Sequence, residues 1–546
     1  MDIRRTVLWA IFGFALLMLW TNWQQANPRI SPQSAATVTS GSGSRDAALP
    51  SAPAAANAQN ATPTAAAPAA AGHGETIEIT TDVLKIDIDT LGGSLVRAEL
   101  LQQKEDNGSS KNIVLFDAAR NYAAQSGLVG VDDAPNHSLY RVVSTARTLE
   151  AGKDTLELAL ETISGGIQDR LIYTFKRGAY AIEVRHEITN QQAQAVTPRL
   201  YMHLVRDNSK PENESKVARA YSGPAIYAEE KFHKISFEDI EKGKAKDAIH
   251  VAAKDPAWVG MVQHYFVSAW VPEESRARVI YTDKPAGGPY RVGISESLGE
   301  LAPGATVVAR AKLFVGPQDQ GALSATAPGL ELVVDYGWLT FLAKPIFMLL
   351  QWLHKLVGNW GWAIILLTVL IKLAFYPLSA AGYKSMARMK NVTPRLQAMK
   401  ERYKDDKMKM QQAMMELYRE EKINPMGGCL PILIQIPVFI SLYWVLLASV
   451  EMRNAPWMGW IHDLAAPDPL YILPVVMMAS MFLQTKLNPT PPDPVQAKIM
   501  LFMPLIFGTM FFFFPSGLVL YWVVNNILSI AQQWRINTQL VKAGLK

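Results

Sequence analysis

Gly361-Trp362-Ala363-Ile364-Ile365-Leu366-Leu367-Thr368-Val369-Leu370-Ile371, followed without a break by Lys372 and then Leu373-Ala374-Phe375-Tyr376-Pro377-Leu378, is the stretch that decides how this chain reads. An apolar run of this kind belongs in a bilayer, where a cation is costly unless it faces a bundle interior or a watery cavity. Two readings of Lys372 compete. Drawn as one helix from about Gly358 to Leu378, the chain puts Lys372 roughly 9 Å from the helix end, within snorkelling reach of an interface. Alternatively Lys372 is functional. Thr368 lies one turn before it, and Tyr376 and Ser379 follow on roughly the same face, so a polar stripe runs along several turns as the wall of a wet groove would.

The 546 residues are 49% hydrophobic and only 18% charged, with a mean hydropathy of +0.06. That is too apolar for an ordinary soluble protein and too polar for a pure membrane bundle, so the chain should be mixed. A single cysteine, Cys429, excludes an internal disulfide, and with no His or acidic cluster beside it the residue reads as packing. The net charge of +5 is too small to argue for nucleic acid, and no specific DNA binding is expected.

Moving outward, Arg4 and Arg5 precede an apolar stretch closed by Trp20 and Trp23, and residues 1–24 read as a retained anchor with its N-terminus inside. Residues 25–74 are Ala, Pro, Ser, Thr and Gly, a disordered tether by composition. Residues 75–332 change to period-two runs: Thr76-Ile77-Glu78-Ile79, Lys85 to Asp89, Leu156 to Leu160, Leu171 to Phe175, Tyr180 to Arg185, Arg278 to Tyr281 and Ala311 to Val315. These are strands of one all-β sandwich. Residues 333–356 combine Trp, Phe and Leu with Asp335, Lys344, His354 and Lys355, an amphipathic segment along the outer membrane surface.

Five apolar spans follow: about Asn359 to Leu378, Cys429 to Val450, Leu470 to Gln484, Ile499 to Phe514 and Leu518 to Trp534, the last two joined by Pro515-Ser516-Gly517 as an antiparallel hairpin. With the anchor this makes six transmembrane helices. Loop 379–428 carries Lys384, Arg388, Arg395, Lys400, Arg402 and more, whereas loop 451–468 carries only Arg453, which puts the former and both termini inside and the β region outside. Loop 379–428 reads as a helical hairpin. Its methionines, among them Met386, Met389, Met399, Met410 and Met414, either form an adaptable apolar surface or simply pack the two helices together.

In the last span Trp522, Asn525, Ser529 and Gln532 recur every three or four residues beside Tyr521, Asn526 and Gln533, and Gln435 lies in the second span. Interhelical hydrogen bonding accounts for a few of these, and a groove wall for the stripe. The sequence contains no P-loop, HExxH pair, nucleophile elbow or metal-spaced Cys/His set, so no enzyme, metal or cofactor is expected. His186, His203, His233 and His264 read as scattered, without carboxylate partners.

Tyr376-Pro377-Leu378, Asn424-Pro425-Met426-Gly427-Gly428-Cys429, Trp460-Ile461-His462-Asp463-Leu464, Tyr471-Ile472-Leu473-Pro474 and Phe514-Pro515-Ser516-Gly517-Leu518-Val519-Leu520-Tyr521-Trp522 together resemble the YidC membrane protein insertases over essentially the full length. The resemblance implies a Gram-negative form in the bacterial inner membrane. Its periplasmic domain would be a mutarotase-like super-sandwich, and residues 357–546 a conserved five-helix insertase core. It implies insertion and chaperoning of nascent membrane proteins, alone or with the Sec translocon, with ribosomes and lipids as partners. It also implies a groove open to cytoplasm and lipid, with Lys372 where relatives usually carry arginine, Thr368 as a groove residue, and Trp522 where tyrosine is common. An ammonium keeps the charge and loses the guanidinium fork. A membrane-anchored carbohydrate-binding or carbohydrate-modifying protein is the alternative, and the lack of paired carboxylates and histidines counts against it.

Overall fold

Strict alternation builds the β region. In Ala181–Asn190 every second residue, from Ile182 through Val184, His186 and Ile188 to Asn190, is buried while its neighbours are only partly covered. That is the pattern of a strand with one face on a core. The computed structural model describes residues 74–105, 109–129, 138–209, 221–245, 248–273, 276–403, 406–421, 430–487 and 494–542. The anchor at 1–24, the tether up to residue 73 and Cys429 lie outside the described residues.

Among the described residues the strands form two nine-stranded, antiparallel sheets. One runs Thr76–Thr80, Leu84–Asp89, Ser94–Lys104, Ala123–Val129, Arg199–Arg206, Tyr290–Ser297, Arg278–Asp283, Ile249–Val251, with Asn112–Val114 paired to Ser94–Lys104. The other runs Lys231–Lys234, Gly223–Ala228, Trp258–Val262, Phe266–Pro272, Thr306–Pro317, Ala181–Asn190, Ile167–Lys176, Thr155–Ser164, Arg141–Val142. Ile79, Ile86, Leu95, Leu158, Tyr173, Trp270 and Leu313 fill the space between them. The expected strands fall within these sheets, except that Tyr180 lies one residue ahead of Ala181–Asn190. Trp270 is fully buried, and its indole N–H donates to the His203 carbonyl of the opposite sheet at 3.1 Å. Trp270→Ala should therefore cost about 3–5 kcal/mol in denaturant unfolding followed by circular dichroism. A loss below about 1 kcal/mol would contradict the packing described.

Strand Phe266–Pro272 is buried on both faces. Trp270 points into the sandwich, while Val267, Ala269 and Val271 join a second core with Tyr227, Trp258 and Phe314. Leu323, Leu330, Val333, Tyr336 and the outer ends of the long helices complete that core. The β region thus rests directly on the helical region. His264 Nε2 lies 3.2 Å from the Leu447 carbonyl, and Lys234 pairs with Asp335.

The helices are α1 (Phe237–Glu241), α2 (Gln320–Thr326), α3 (Thr340–Val357), α4 (Trp360–Ala374), α5 (Tyr376–Arg402), α6 (Lys407–Glu420), α7 (Leu430–Ala448), α8 (Ile472–Leu487), α9 (Pro494–Met510) and α10 (Ser516–Lys542). The amphipathic segment becomes helical at Thr340. Two 3-10 turns, Leu330–Val333 and Gly337–Leu339, precede it. α3 buries Ala343, Ile346, Phe347, Leu350 and Leu353 and exposes Phe341, Met348, Trp352 and Leu356.

The expectation of one straight helix from Asn359 to Leu378 is corrected. α4 stops at Ala374, and α5 starts at Tyr376 after a bend of 63°. Pro377 explains the break, because in the first turn of α5 its missing N–H costs nothing, whereas inside α4 it would remove a hydrogen bond and clash. Among the described residues no single helix is long and apolar enough to cross a membrane. The bent pair Trp360–Ala374 with Tyr376–Ser385 passes together, and Ile434–Ala448, Ile472–Leu487 and Ala497–Phe513 are shorter apolar helices.

Candidate functional site

α4 is seated from its N-terminal end. The Asn359 side chain accepts from the Trp362 N–H at 3.2 Å and donates to the Pro456 carbonyl at 2.9 Å. Gly361 lets the helix touch Trp457, since a Cβ there would fall 2.2 Å from its ring. Two turns on, Thr368 is buried and returns its hydroxyl to the Ile364 carbonyl at 2.7 Å. One turn further comes Lys372, which is 7% exposed.

Snorkelling along its own helix is not what the lysine does. Its Nζ donates to Ser529 Oγ on α10 at 2.7 Å. The Ser529 hydroxyl in turn donates to the Asn525 carbonyl at 2.7 Å, which leaves its lone pairs turned to the ammonium. Tyr383, from the second turn of α5, reaches the same serine. One turn outward Gln435 of α7 donates to the Asn525 side chain at 2.5 Å. Among the described residues no carboxylate lies within ion-pairing distance of Lys372. Its partner among the described residues is a neutral hydroxyl, a costly arrangement that needs a purpose or an exchangeable partner.

The other expected groove residues sit around this centre. The Tyr521 hydroxyl is buried beside Gln435 without a regular hydrogen bond. Trp522 packs edge-on against Phe439 at 4.4 Å and also meets Phe511 at 5.3 Å. The polar stripe of the last span divides between two faces. Asn525 and Ser529 turn toward α7 and α4, whereas Asn526 donates to Ser480 at 3.0 Å and Gln533 to the Leu487 carbonyl at 3.4 Å, both on α8. Interhelical hydrogen bonding thus accounts for the second pair.

Toward the β sandwich, the loop over the site is closely hydrogen-bonded. The turn before α10 is held by Ser516 N–H to Ala466 at 2.7 Å, Gly517 N–H to Leu464 at 2.9 Å and Ser516 Oγ to Asp463 at 2.7 Å, all backbone carbonyls. Asp468 accepts from Trp460 Nε1 at 2.9 Å and from the N–H groups of Leu470 and Leu473 at 3.0 and 2.7 Å. Nearby in the same outer loop, burial pushes the Glu451 carboxyl up to about 7, and the charge of Asp319 adds to it. Its folded value lies above its ordinary 4.5, so the cost of ionising it is absent in acid, grows as pH rises toward about 7 and stays constant above. Glu451→Gln should therefore raise stability by on the order of 2–3 kcal/mol at about pH 8 and by nothing at about pH 4. Melting curves at the two pH values check it.

In the hairpin, Met389, Met399, Met414 and Tyr418 pack around Val392, Leu396 and Leu417. For these methionines the packing reading holds. Met408 and Met415 are exposed, Met410 is half-buried, and Met386 lies in α5.

One cluster escaped the sequence reading. His186 does have a carboxylate partner: its Nδ1 lies 3.0 Å from Asp169, and its Nε2 lies 3.0 Å from Ser126 Oγ. The turn at Gly178 was the available clue. It sets Leu171 opposite His186 and Asp169 opposite Ile188, which brings Asp169 and His186 to one face.

Two family models match the chain, one described as YidC periplasmic domain over residues 76–349 and one as 60Kd inner membrane protein over residues 352–543. A membrane protein insertase YidC from Cupriavidus metallidurans is 55% identical over 99% of this chain and 98% of its own length. Among solved structures, an active YidC insertase with its first transmembrane domain resolved is similar at 20% identity over 84% of this chain and 91% of its own, with a TM-score of 0.37. A galactose mutarotase related enzyme from Lactobacillus acidophilus is similar at 10% identity over 44% of this chain and 97% of its own, with a TM-score of 0.31. With both regions matched and identity above one half along nearly the whole length, the chain belongs to the YidC family of membrane protein insertases.

Proposed function

We propose that the chain inserts nascent membrane proteins by giving their polar or acidic flank a temporary partner at Lys372 while their apolar stretch slides along the helices into lipid. One observation carries this reading: a buried ammonium whose partner among the described residues is a neutral, exchangeable hydroxyl. A client carboxylate replacing Ser529 there gains a charge-assisted hydrogen bond in a poorly screened place. Burial of the client's apolar surface, about 25 cal/mol per Å², drives the transfer, and no nucleotide is consumed. The bend at Phe375 supports an opening in which the start of α5, with Tyr383, moves off the site. The closely hydrogen-bonded turn before α10 supports a route leading only inward.

The same reading places the protein in the inner membrane with six spans, both termini cytoplasmic and the sandwich periplasmic. The residue ranges 1–24, 25–74, 75–332, 333–356 and 357–546 serve as its segments. Sec translocon, ribosome and lipids are its partners, and chaperoning of clients is its second task. Photo-crosslinkers at Thr368, Lys372 and Trp522 should each capture a ribosome-stalled client whose apolar segment is half emerged. Crosslinks confined to outer-loop positions would refute the route.

A further inference from the structure

Residues 447–453, the end of α7 and the 3-10 turn Val450–Met452 after it, are gripped by the β region and α2 at three points. At the first, the Leu447 carbonyl accepts from His264 Nε2 at 3.2 Å, and the imidazole stacks on Tyr265 at 3.9 Å. At the third, Arg453 donates to the Glu105 carbonyl and lies 5.6 Å from the centre of the Phe266 ring. Between them stands Glu451, beside Asp319 and Gln320 at the start of α2.

The middle point is the strained one. Glu451 Oε1 is shut off from solvent without a regular hydrogen bond, and no basic side chain among the described residues pairs with the carboxyl. The Gln320 N–H offers partial relief. Asp319, which caps α2 by accepting from the Ala322 N–H at 2.7 Å, adds its own negative charge. The Tyr336 phenol also faces Glu451 and is taken up by the Gln320 and Ser449 side chains. An ionised Glu451 thus sets a second negative charge beside the first where water hardly reaches. Swinging residues 447–453 off the sandwich would relieve it, whereas a protonated Glu451 has nothing to relieve.

We propose that residues 447–453 form a proton-sensitive latch, in which protonation of Glu451 seats the end of α7 on the sandwich and its ionisation beside Asp319 loosens that seat. The direction follows from linkage. Released into water the carboxyl takes its ordinary 4.5, and seated it is held up to about 7 by burial first and Asp319 second. The seat therefore weakens as pH rises from about 4.5 toward about 7 and changes no further above. His264 acts the other way. Burial holds its imidazole below 6.5, against the pull of the Leu447 carbonyl and with help from Arg453, so protonating it in acid loosens the first point. Asp463, raised by burial, faces Arg453, and the pairs Lys234–Asp335 and Lys344–Glu331 complete the charges of the seam.

Hydrogen exchange read by mass spectrometry on the full-length protein in nanodiscs tests the latch, with rates corrected for the intrinsic pH dependence of exchange. Comparing variants at one pH cancels the contribution of His264. At pH 8 residues 445–453 of Glu451→Gln should open roughly 30- to 100-fold less often than in wild type, and at pH 4.5 the two should agree within about 3-fold. Asp319→Asn, which can still cap α2, should fall between them at pH 8. Equal opening of wild type and Glu451→Gln at pH 8 would overturn the proposal. So would Asp319→Asn opening as often as wild type there, since the paired carboxyls are its basis.

Discussion

Lys372→Met will leave the protein folded and remove its ability to insert clients that carry an acidic flank. The two halves of this expectation have separate causes. Lys372 is buried and bonded only to a neutral hydroxyl, so its ammonium is desolvated without an opposite charge among the described residues. Replacing a poorly compensated buried charge with an apolar side chain of similar length is neutral or stabilising. The melting temperature should stay level or rise. Insertion should fall, because the client's carboxylate loses the one cation in this part of α4. Truncating one partner of a buried, hydrogen-bonded charge pair costs about 2–3 kcal/mol, roughly 30- to 160-fold. Protease protection of the client in proteoliposomes reads the loss. Lys372→Arg should keep most activity, and a client with a neutral flank should be nearly unaffected by either change. Equal insertion of both clients by Lys372→Met would separate the lysine from the mechanism.

Asp468→Ala carries the largest expected structural effect in the outer loop. The carboxylate is 1% exposed and accepts three N–H groups: the Trp460 indole and the first backbone donors leading into α8. Alanine leaves all three donors without this acceptor where water hardly reaches. An unsatisfied buried donor costs about 1–3 kcal/mol, so the sum should be about 3–5 kcal/mol. Asp468→Asn should lose less, because its amide oxygen can still serve the Trp460 and Leu470 donors while its NH₂ opposes Leu473. Thermal unfolding orders the three proteins, with wild type highest and alanine lowest. Hydrogen exchange should locate the loss in residues 460–473 and in the adjoining turn at Ser516 and Gly517. An alanine variant within about 1 kcal/mol of wild type would mean that this loop is held elsewhere.

The strands were legible because a one-sided core writes itself into every second residue, as in Ile182, Val184, His186, Ile188 and Asn190. The end of α4 was less so. Pro377 was visible, yet apolar Leu373, Ala374 and Phe375 continued the hydropathy run past the break, and hydropathy does not record a bend. The polar stripe of the last span was read as one face. Asn525 and Asn526 are adjacent in sequence and about 100° apart around the helix, so they serve α7 and α8 respectively. Lys372 stood out as a charge in an apolar run, but its partner Ser529 is 157 residues away, and only the packing of α4 on α10 brings them together. The Ser126, His186 and Asp169 array was hidden for the same reason: strand pairing assembles it, and no local motif announces it.

The decisive measurement is the accessibility of position 372 from each side of the membrane. In a Cys429→Ser background, Lys372→Cys is treated with a charged, membrane-impermeant methanethiosulfonate in inverted and in right-side-out vesicles. The expected result is modification from the cytoplasmic side only, slowed when a stalled client occupies the site. A cysteine that reacts from neither side, or only from the outer side, would contradict an inward-opening polar site at this residue.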